Sequence, residues 1–256
     1  MESFETLLRK NNKLLVELQQ SLGYQFNNPA CLQEALIHSS FAFEQGDKLN
    51  KDNETLEFLG DAVLDLTVGF DLFSRFPGMN EGELTQLRAA MVNENHLTVM
   101  AEEIELGRYL SLGRGEDASN GRSKPSILSS AYEAVVGAIF RDGGYDAAAG
   151  FVAKHFVPWI AIQKKKLLYS DAKSRLQELT QEKYSEAPVY VLEKEDGPDH
   201  QKQFTVAVCF QGKILGYGMA GSKKEAEQKA AATALENMTA LNLPSGKKQN
   251  PKKKGR

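Results

Sequence analysis

The chain has 256 residues, of which 41% are hydrophobic and 25% charged, a composition typical of globular proteins rather than disordered or fibrous ones. It contains no run of 18 apolar residues, so no membrane-spanning segment is expected, and its polar start lacks the apolar core of a secretory signal. Cys31 and Cys209 stand far apart in the sequence. They predict neither a disulfide framework nor a zinc site, and they suit a cytoplasmic protein.

The formal net charge of −3 argues, taken alone, against a nucleic-acid-binding protein. The charge is unevenly divided, because residues 1–167 carry −7 and residues 168–256 carry +4. An acidic body joined to a basic C-terminal part is typical of chains that contact nucleic acid, although scattered surface charge is an equally good explanation. The last segment, residues 241–256, is basic without apolar periodicity, which predicts a disordered tail.

Apolar residues recur at helical spacing through most of the first 160 residues, which predicts an all-α domain over residues 1–160. The predicted helices are Phe4–Leu22, Cys31–His38, Glu54–Phe73, Glu83–Met100 and Ile127–Phe140. Breakers rich in Asn, Pro and Gly separate them. The polar segment 113–125 is predicted to be a mobile loop, and residues 161–170 are predicted to be a linker.

The pattern changes at Asp171 and predicts a small α+β domain over residues 171–240. The predicted elements are a helix at Ala172–Lys183, strands at Val189–Glu195, Gln203–Gln211 and Lys213–Met219, and a helix at Ser222–Met238. A sheet with two helices on one face would close a small core. The GYGMAG run at 216–221 fits GxGxxG, but no βαβ unit follows it, so no nucleotide cofactor is expected.

The run NETLEFLGDAVL at 53–64 combines an apolar helical surface with an acidic stripe. On a helix, Glu54, Glu57 and Asp61 share one face, where like charges repel each other. Carboxylates in a mostly buried helix would cost far more without partners. A bound Mg²⁺ would remove both costs, since carboxylate oxygens are its preferred protein ligands. The alternative is an exposed acidic face, the usual meaning of such a run. Gly60 inside the helix indicates close approach of another helix.

A second helix, at 127–138, carries Glu133 as its only carboxylate among apolar or small residues. A buried lone Glu needs a partner, and a metal shared with the first helix would be one. Glu81 is a weaker candidate for the same cluster, because an acid at a helix N-terminus is favoured by the helix dipole alone.

These segments resemble bacterial ribonuclease III, whose signature is Asn/Tyr-Glu-x-Leu-Glu-Phe-Leu-Gly-Asp. The run at 53–64 matches that signature almost completely, and the resemblance extends through ALIHSS at 35–40 and EAVVGAI at 133–139. It implies an all-helical endonuclease domain that forms a homodimer, with each of two centres cutting one strand of double-stranded RNA. It also implies divalent ions, normally Mg²⁺ with Mn²⁺ as a substitute, and products with 5′-phosphate and 3′-hydroxyl ends and short 3′ overhangs.

By position in the motifs, the resemblance implies that Glu57, Glu133 and Asp61 are metal ligands. It also implies that Asp61 and Glu133 are the catalytic acids, with Asp61 essential for hydrolysis. Glu54 and Glu81 match accessory acids. A metal that activates water and neutralises phosphate charge makes a nucleophilic Ser or Cys unnecessary. This agrees with the absence of any convincing Ser/His/Asp or Cys/His arrangement in the sequence, where His38 is interpreted as structural.

The sequence departs from the family pattern at Ser130, where an Asp is normal three residues before Glu133. A neutral hydroxyl is a weaker Mg²⁺ ligand than a carboxylate. Three outcomes are open: a more weakly held metal with cleavage retained, compensation by another acid, or loss of cleavage. The last would make the protein an RNA-binding processing scaffold, the alternative to the endoribonuclease.

The C-terminal module resembles the double-stranded RNA-binding domain in KSRLQE at 173–178, GPDH at 197–200 and GSKKEAE at 221–227. Such a domain spans two minor grooves and the phosphates between them. The residues that the resemblance places at RNA are Gln177, Glu178, Pro198, His200, Ser222, Lys223 and Lys224. Ser222 is also a candidate N-cap. Ribosomal RNA precursors and structured messages are the substrates the resemblance suggests, and a hydrolase of small phosphates is disfavoured by this module.

Overall fold

The computed structural model describes residues 3–198 and 201–240, so the predicted tail at 241–256 lies outside the described residues. The chain divides into two compact units, Met1–Gln163 and Lys164–Arg256. The helices are α1 Phe4–Leu22, α2 Pro29–Ala35, α3 Ser39–Gln45, α4 Glu54–Arg75, α5 Glu81–Val92, α6 Glu94–Glu103, α7 Arg114–Ala118, α8 Pro125–Tyr184 and α9 Lys223–Ala240. The strands are β1 Val189–Asp196, β2 Gln203–Phe210 and β3 Lys213–Ala220.

The first unit is helical, as predicted. Helix α1 begins where the side chain of Ser3 accepts a hydrogen bond from the Thr6 amide, and it ends at Gly23 in the left-handed conformation. Each of the long helices turns an apolar stripe inward. The fully buried members include Leu15, Leu18, Leu64, Leu72, Leu87, Leu97, Val135 and Ile139.

Two of the predicted helices are broken in the structure. The segment 83–100 forms α5 and α6, separated at Asn93, whose side chain accepts a hydrogen bond from the His96 amide and so caps the second helix. The segment 31–38 ends its helix at Ala35, and His38 then caps α3 through Nδ1, which accepts from the Ser40 amide at 3.2 Å. Side chains that cap a helix start therefore set both breaks.

The segment 113–125, predicted to be a loop, contains helix α7 and a 3₁₀ turn at Gly121–Ser123. Arg122 ties it to neighbouring backbone, since Nη1 donates to the carbonyl oxygens of Gly107 at 3.0 Å and Leu110 at 2.8 Å. Lys124 also pairs with Glu116. The prediction of a loop without helical turns was wrong because it missed these local polar bonds.

Residues 161–170, predicted to be a linker, are helical and belong to the helical stretch Pro125–Tyr184. That stretch is interrupted at Gly144, whose φ of 76° and ψ of −169° are not helical. The carboxylate of Asp142 lies just before this kink. It accepts hydrogen bonds from the Tyr24 hydroxyl and from the backbone amides of Asn27 and Asn28, each at 2.8 Å.

The second unit has the predicted α-β-β-β-α order. Its strands form one antiparallel sheet in the order β1-β2-β3, with Tyr190 opposite Val208 and Val206 opposite Gly218. The C-terminal part of α8 and helix α9 supply the core together with one sheet face, through Leu176, Val208 and Ala230 among others.

Two glycines of the GxGxxG run, Gly216 and Gly218, serve packing. A Cβ added to Gly218 would lie 2.1 Å from the Ala226 carbonyl oxygen, so only glycine lets β3 approach α9 this closely. Within residues 3–198 and 201–240, no helix is both long and apolar enough to cross a bilayer.

Candidate metal centre and nucleic-acid interface

Helices α4 and α8 touch backbone to backbone at two glycines. A Cβ on Gly60 would lie 1.8 Å from the Glu133 carbonyl oxygen, and a Cβ on Gly137 would lie 2.2 Å from the Leu56 carbonyl oxygen. In real structures a Cβ atom essentially never comes within 3.0 Å of a heavy atom of a residue that is not its neighbour in the chain or in the same helical turn. The close approach that Gly60 indicated is confirmed, and α8 is the helix that makes it.

This crossing brings three of the predicted acids together. Glu57 and Asp61 flank Gly60 on α4, and Glu133 lies opposite on α8. Glu133 is half-buried, and its pKa is raised to about 7, first by burial and then by the negative charges of Asp61 and Glu57. The acids of the two helices therefore share one electrostatic field.

The cluster suits a divalent cation by its electrostatics. A carboxyl whose ionisation is opposed by two like neighbours is stabilised in its charged form when a cation lies among them. Within the parts of the chain that the structure describes, no group of three His, Cys, Asp or Glu side chains has the arrangement of a ready-made metal site. The fit of the cation therefore rests on charge and on the oxygen chemistry of the donors.

The structure does not group the other two predicted site acids with this centre. Glu54 is in the first turn of α4 and is exposed, and Glu81 is the exposed first residue of α5. Neither is among the groups that shift the pKa of Glu133. Ser130 is partly exposed and lies one turn before Glu133 on α8, so the departure from the family pattern falls on the same helix face.

Two further acids of α4, Asp65 and Asp71, were not predicted to belong to the site, and both have ion-pair partners. Asp65 pairs with Arg88 at 3.5 Å and Asp71 with Arg75 at 2.6 Å. His38 caps α3 with its side chain, which agrees with its structural interpretation.

Helix α4 also carries an exposed apolar stripe, which the sequence analysis did not identify. The stripe consists of Phe58, Leu66, Phe70 and Phe73, whose exposed fractions are 80%, 58%, 60% and 67%. These residues repeat at spacings of three, four and eight, which is one helix face. The sequence feature that could have predicted the stripe is that α4 is apolar on nearly all sides, since such a helix must be covered on more than one side.

In the second unit, the described residues that were predicted to contact RNA lie on α8, after β1 and at the start of α9. Gln177 and Glu178 line an open groove along the C-terminal part of α8, and Pro198 is exposed after β1. His200 lies outside the described residues. The Ser222 hydroxyl accepts from the Glu225 amide at 3.3 Å and so caps α9.

Lys223 and Lys224 are exposed at the start of α9, where ammonium groups and free amides both favour phosphate. Lys223 also contacts Glu195 at 3.6 Å and lies over the Phe204 ring at 5.5 Å. This partner could not be predicted from the sequence, because Glu195 is 28 residues away on β1.

Comparison with protein families assigns each unit. Residues 28–160 match the family described as Ribonuclease-III-like, and residues 172–238 match the double-stranded RNA binding motif. The chain is 57% identical over 235 residues to a protein named Ribonuclease 3 from Desulfotalea psychrophila, covering 92% of this chain and 97% of the relative. It is 47% identical to Ribonuclease 3 from Syntrophobacter fumaroxidans, covering 88% and 95%.

Solved structures give the same result for the first unit. The nuclease domain of ribonuclease III from Campylobacter jejuni superposes with a TM-score of 0.52 at 42% identity, covering 56% of this chain and 93% of that domain. A second structure of that domain, described as flexible in a region involved in dimer formation, gives 0.50 at 43% identity, covering 55% and 97%.

Proposed function

The chain belongs to the ribonuclease III family and is an endoribonuclease with a double-stranded RNA-binding domain, and on this basis we propose that it hydrolyses phosphodiester bonds of duplex RNA with Mg²⁺. The observation that carries the proposal is the crossing at Gly60 and Gly137, which places Glu57 and Asp61 beside Glu133. The proposed products have 5′-phosphate and 3′-hydroxyl ends, and Mn²⁺ is the proposed substitute metal.

The proposed roles follow from the position of each acid. Glu57 and Glu133, one from each helix, would hold the ion, and Asp61 would orient the attacking water and accept its proton. When bound, a divalent ion supplies activation of water and neutralisation of charge on the scissile phosphate and the leaving 3′-oxygen. Glu54 and Glu81, which are exposed, are proposed as accessory acids that act through water.

Ser130 is proposed to weaken metal binding without abolishing cleavage. Three carboxylates remain at the helix crossing, and one more water can take the place of the missing ligand, since Mg²⁺ usually keeps several waters. The competing function is a double-stranded RNA-binding scaffold without efficient cleavage. It is supported by the intact second unit and by the neutral side chain at position 130.

The two functions separate in one assay with labelled duplex RNA and Mg²⁺. The protein is compared with Ser130→Asp and with Asp61→Asn as the inactive control. We expect the unmodified protein to cut in an Asp61-dependent way and to leave 3′ overhangs of about two nucleotides, and Ser130→Asp to need less Mg²⁺. If only Ser130→Asp cuts while all three proteins bind RNA, the scaffold function is correct.

A homodimer is proposed as the active form, with the stripe Phe58, Leu66, Phe70 and Phe73 at its interface. Four large apolar side chains on one helix face form an exposed patch of the kind that marks protein–protein interfaces. Two centres would then act on opposite strands of one duplex.

Ribosomal RNA precursors and structured messages are the proposed substrates, and the cytoplasm is the proposed location. Cys31 and Cys209 are both free thiols, as is usual in a reducing compartment. The proposed substrates come from the family resemblance, and sequencing of RNA ends in cells with and without the protein would test them.

A further inference from the structure

The seam between α4 and α8 is antiparallel and has a fixed register. Gly60 lies against Glu133, and one turn earlier on α4 the backbone of Leu56 lies against Gly137. Further in the same direction, Lys51 precedes α4 and Arg141 lies one turn beyond Gly137 on α8, and both donate to the side chain of Glu34. The two segments that bear the acids therefore approach each other again where α4 begins.

A buried carboxylate joins these two segments at that point. Glu34 on α2 accepts from Arg141 Nη1 at 2.8 Å and Nη2 at 3.3 Å, and from Lys51 Nζ at 2.9 Å. Only 9% of its side chain is exposed. Burial by itself raises the pKa of Glu34, but the hydrogen bonds from Arg141 and Lys51 outweigh it and leave that pKa below its usual value.

The arrangement suits a role in geometry better than a role in stability. A buried ion pair contributes little net stability because desolvation offsets the attraction, and its best-attested use is to select one register between packed elements. Here the two cations come from the two segments that carry the acids. Lys51 lies three residues before Glu54, and Arg141 lies one turn beyond Gly137.

We propose that Glu34 is a positioning residue for the metal centre, fixing α4 against α8 and thereby the spacing of Glu57 and Asp61 from Glu133. The inference rests on the proposed function, since it requires that these acids hold a divalent ion. Glu34 is one of the acids that the sequence reasoning assigned no role in the site.

The fold has other anchors on both sides of Glu34, so its loss should be tolerated. The Asn53 amide donates to the Ile37 carbonyl oxygen at 2.8 Å and holds the start of α4. Asp142, next to Arg141, accepts from the Asn27 and Asn28 amides at 2.8 Å. A variant at Glu34 should therefore fold with the seam loosened rather than opened.

The chain offers a matched control. Glu17 accepts from Arg108 Nη1 at 2.8 Å and Nη2 at 3.3 Å, the same geometry as the Glu34–Arg141 pair. The Glu17 side chain is 45% exposed, however, and neither partner lies on α4 or α8. Glu17→Gln thus removes an equivalent ion pair without touching the seam.

The test measures Mn²⁺ binding to the RNA-free, full-length protein by calorimetry, together with thermal unfolding. We expect Glu34→Gln to weaken Mn²⁺ binding about tenfold, as outer-shell changes do, and Glu17→Gln to leave it unchanged. Arg141→Gln should match Glu34→Gln, and the double variant should be no weaker than either one, since both act through one contact. The Mn²⁺ affinity of Arg141→Lys, which keeps the charge, should lie between that of the unmodified protein and that of Arg141→Gln, and this variant serves if Glu34→Gln fails to fold.

Equal Mn²⁺ affinity in the unmodified protein, Glu34→Gln and Arg141→Gln would overturn the inference, even if both variants unfold at lower temperature. In that case the proposed function would stand. If the unmodified protein neither binds Mn²⁺ nor cuts duplex RNA, the proposed function fails and the inference fails with it.

Discussion

Glu133 connects electrostatics to stability at the scale of single residues. Its pKa is about 7 in the folded chain, against about 4.5 for an ordinary glutamate. Between these values the folded state holds a proton that the unfolded state has released. Stability conferred by this group is therefore present below about pH 4.5 and is lost as the pH rises through 7.

Replacement of Glu133 should stabilise the metal-free protein at high pH. With a chelator present at pH 8, Glu133→Gln removes a carboxylate that is repelled by the negative charges of Asp61 and Glu57. The free energy of unfolding should rise by only about 1 kcal/mol, because Glu133 is half-buried and solvent screens part of the repulsion. Thermal unfolding of both proteins at pH 5 and pH 8 measures it. A gain of equal size at the two pH values would contradict the explanation.

Metal binding should depend on the same proton. Because a proton on Glu133 competes with a divalent ion, the apparent Mn²⁺ affinity should rise by up to about tenfold per pH unit below pH 7 and level off above it. Calorimetric titrations between pH 6 and 8.5 would follow the change. In Glu133→Gln, the affinity should be low and nearly independent of pH across this range; a rise equal to that of the unmodified protein would place the titrating group elsewhere.

At the residue scale, the sequence predicted what depends on local spacing. The acids Glu57 and Asp61 and the isolated Glu133 could be identified from the sequence because carboxylates are conspicuous on an otherwise apolar helix. The contact of Glu195 with Lys223 could not be predicted, since it joins a strand to a helix start through tertiary packing. The exposure of Phe58 was missed for a related reason: periodicity gives a face, not what covers it.

Helix contacts decide whether the acids can act together. Their separation is set by the distance between the backbones of α4 and α8, and that distance requires hydrogen atoms as the side chains of Gly60 and Gly137. The geometry of the proposed centre is therefore a property of the helix pair, and it can be changed without replacing any acid.

Gly60→Ala should separate the two helices. Its Cβ would lie 1.8 Å from the Glu133 carbonyl oxygen, so we expect a loss of stability of about 1–3 kcal/mol and a fall in cleavage of about 100-fold or more. Thermal unfolding and cleavage of duplex RNA give the two values. Gly150→Ala is the control, because nothing lies within 4 Å of a Cβ there and alanine favours a helix. Full activity of Gly60→Ala would show that the spacing is not critical.

Helix boundaries were less predictable than helix identities. The start of α4 at Glu54 agreed with the sequence, whereas the break at Asn93 and the turn of helix at 114–118 did not. Both depend on side chains that bond to nearby backbone, such as Asn93 to the His96 amide. A hydrophobic pattern contains no information about such bonds.

Assembly concerns the molecule as a whole. The two-unit organisation and the α-β-β-β-α order followed from a change of period near residue 171, from helical spacing to alternation. The exposed stripe on α4 has the same helical spacing as the buried residues, so the pattern could not separate the two. It is visible only once the fold shows which apolar side chains lack a neighbour, and it makes oligomeric state a measurable consequence.

Charge on the stripe should prevent self-association. Phe70→Glu places a carboxylate in the middle of the proposed interface, where a second copy would bury it, so we expect a dimer-to-monomer shift in sedimentation velocity. The monomer should also lose cleavage of both strands of a duplex. Met219→Glu, at a similarly exposed apolar residue of β3, should leave the sedimentation unchanged. A stable dimer of Phe70→Glu would place the interface elsewhere.

The two glycines at the crossing also bear on how such a chain can change over generations. The acids at the centre are at least partly exposed, so a lineage could exchange them one at a time and still fold, and Ser130 already occupies one such position. Gly60 and Gly137 cannot be exchanged in this way, because any larger side chain at either position would collide with the backbone of the facing helix. A descendant that had abandoned chemistry for RNA binding alone would therefore be expected to keep the glycine pair after the carboxylates had gone.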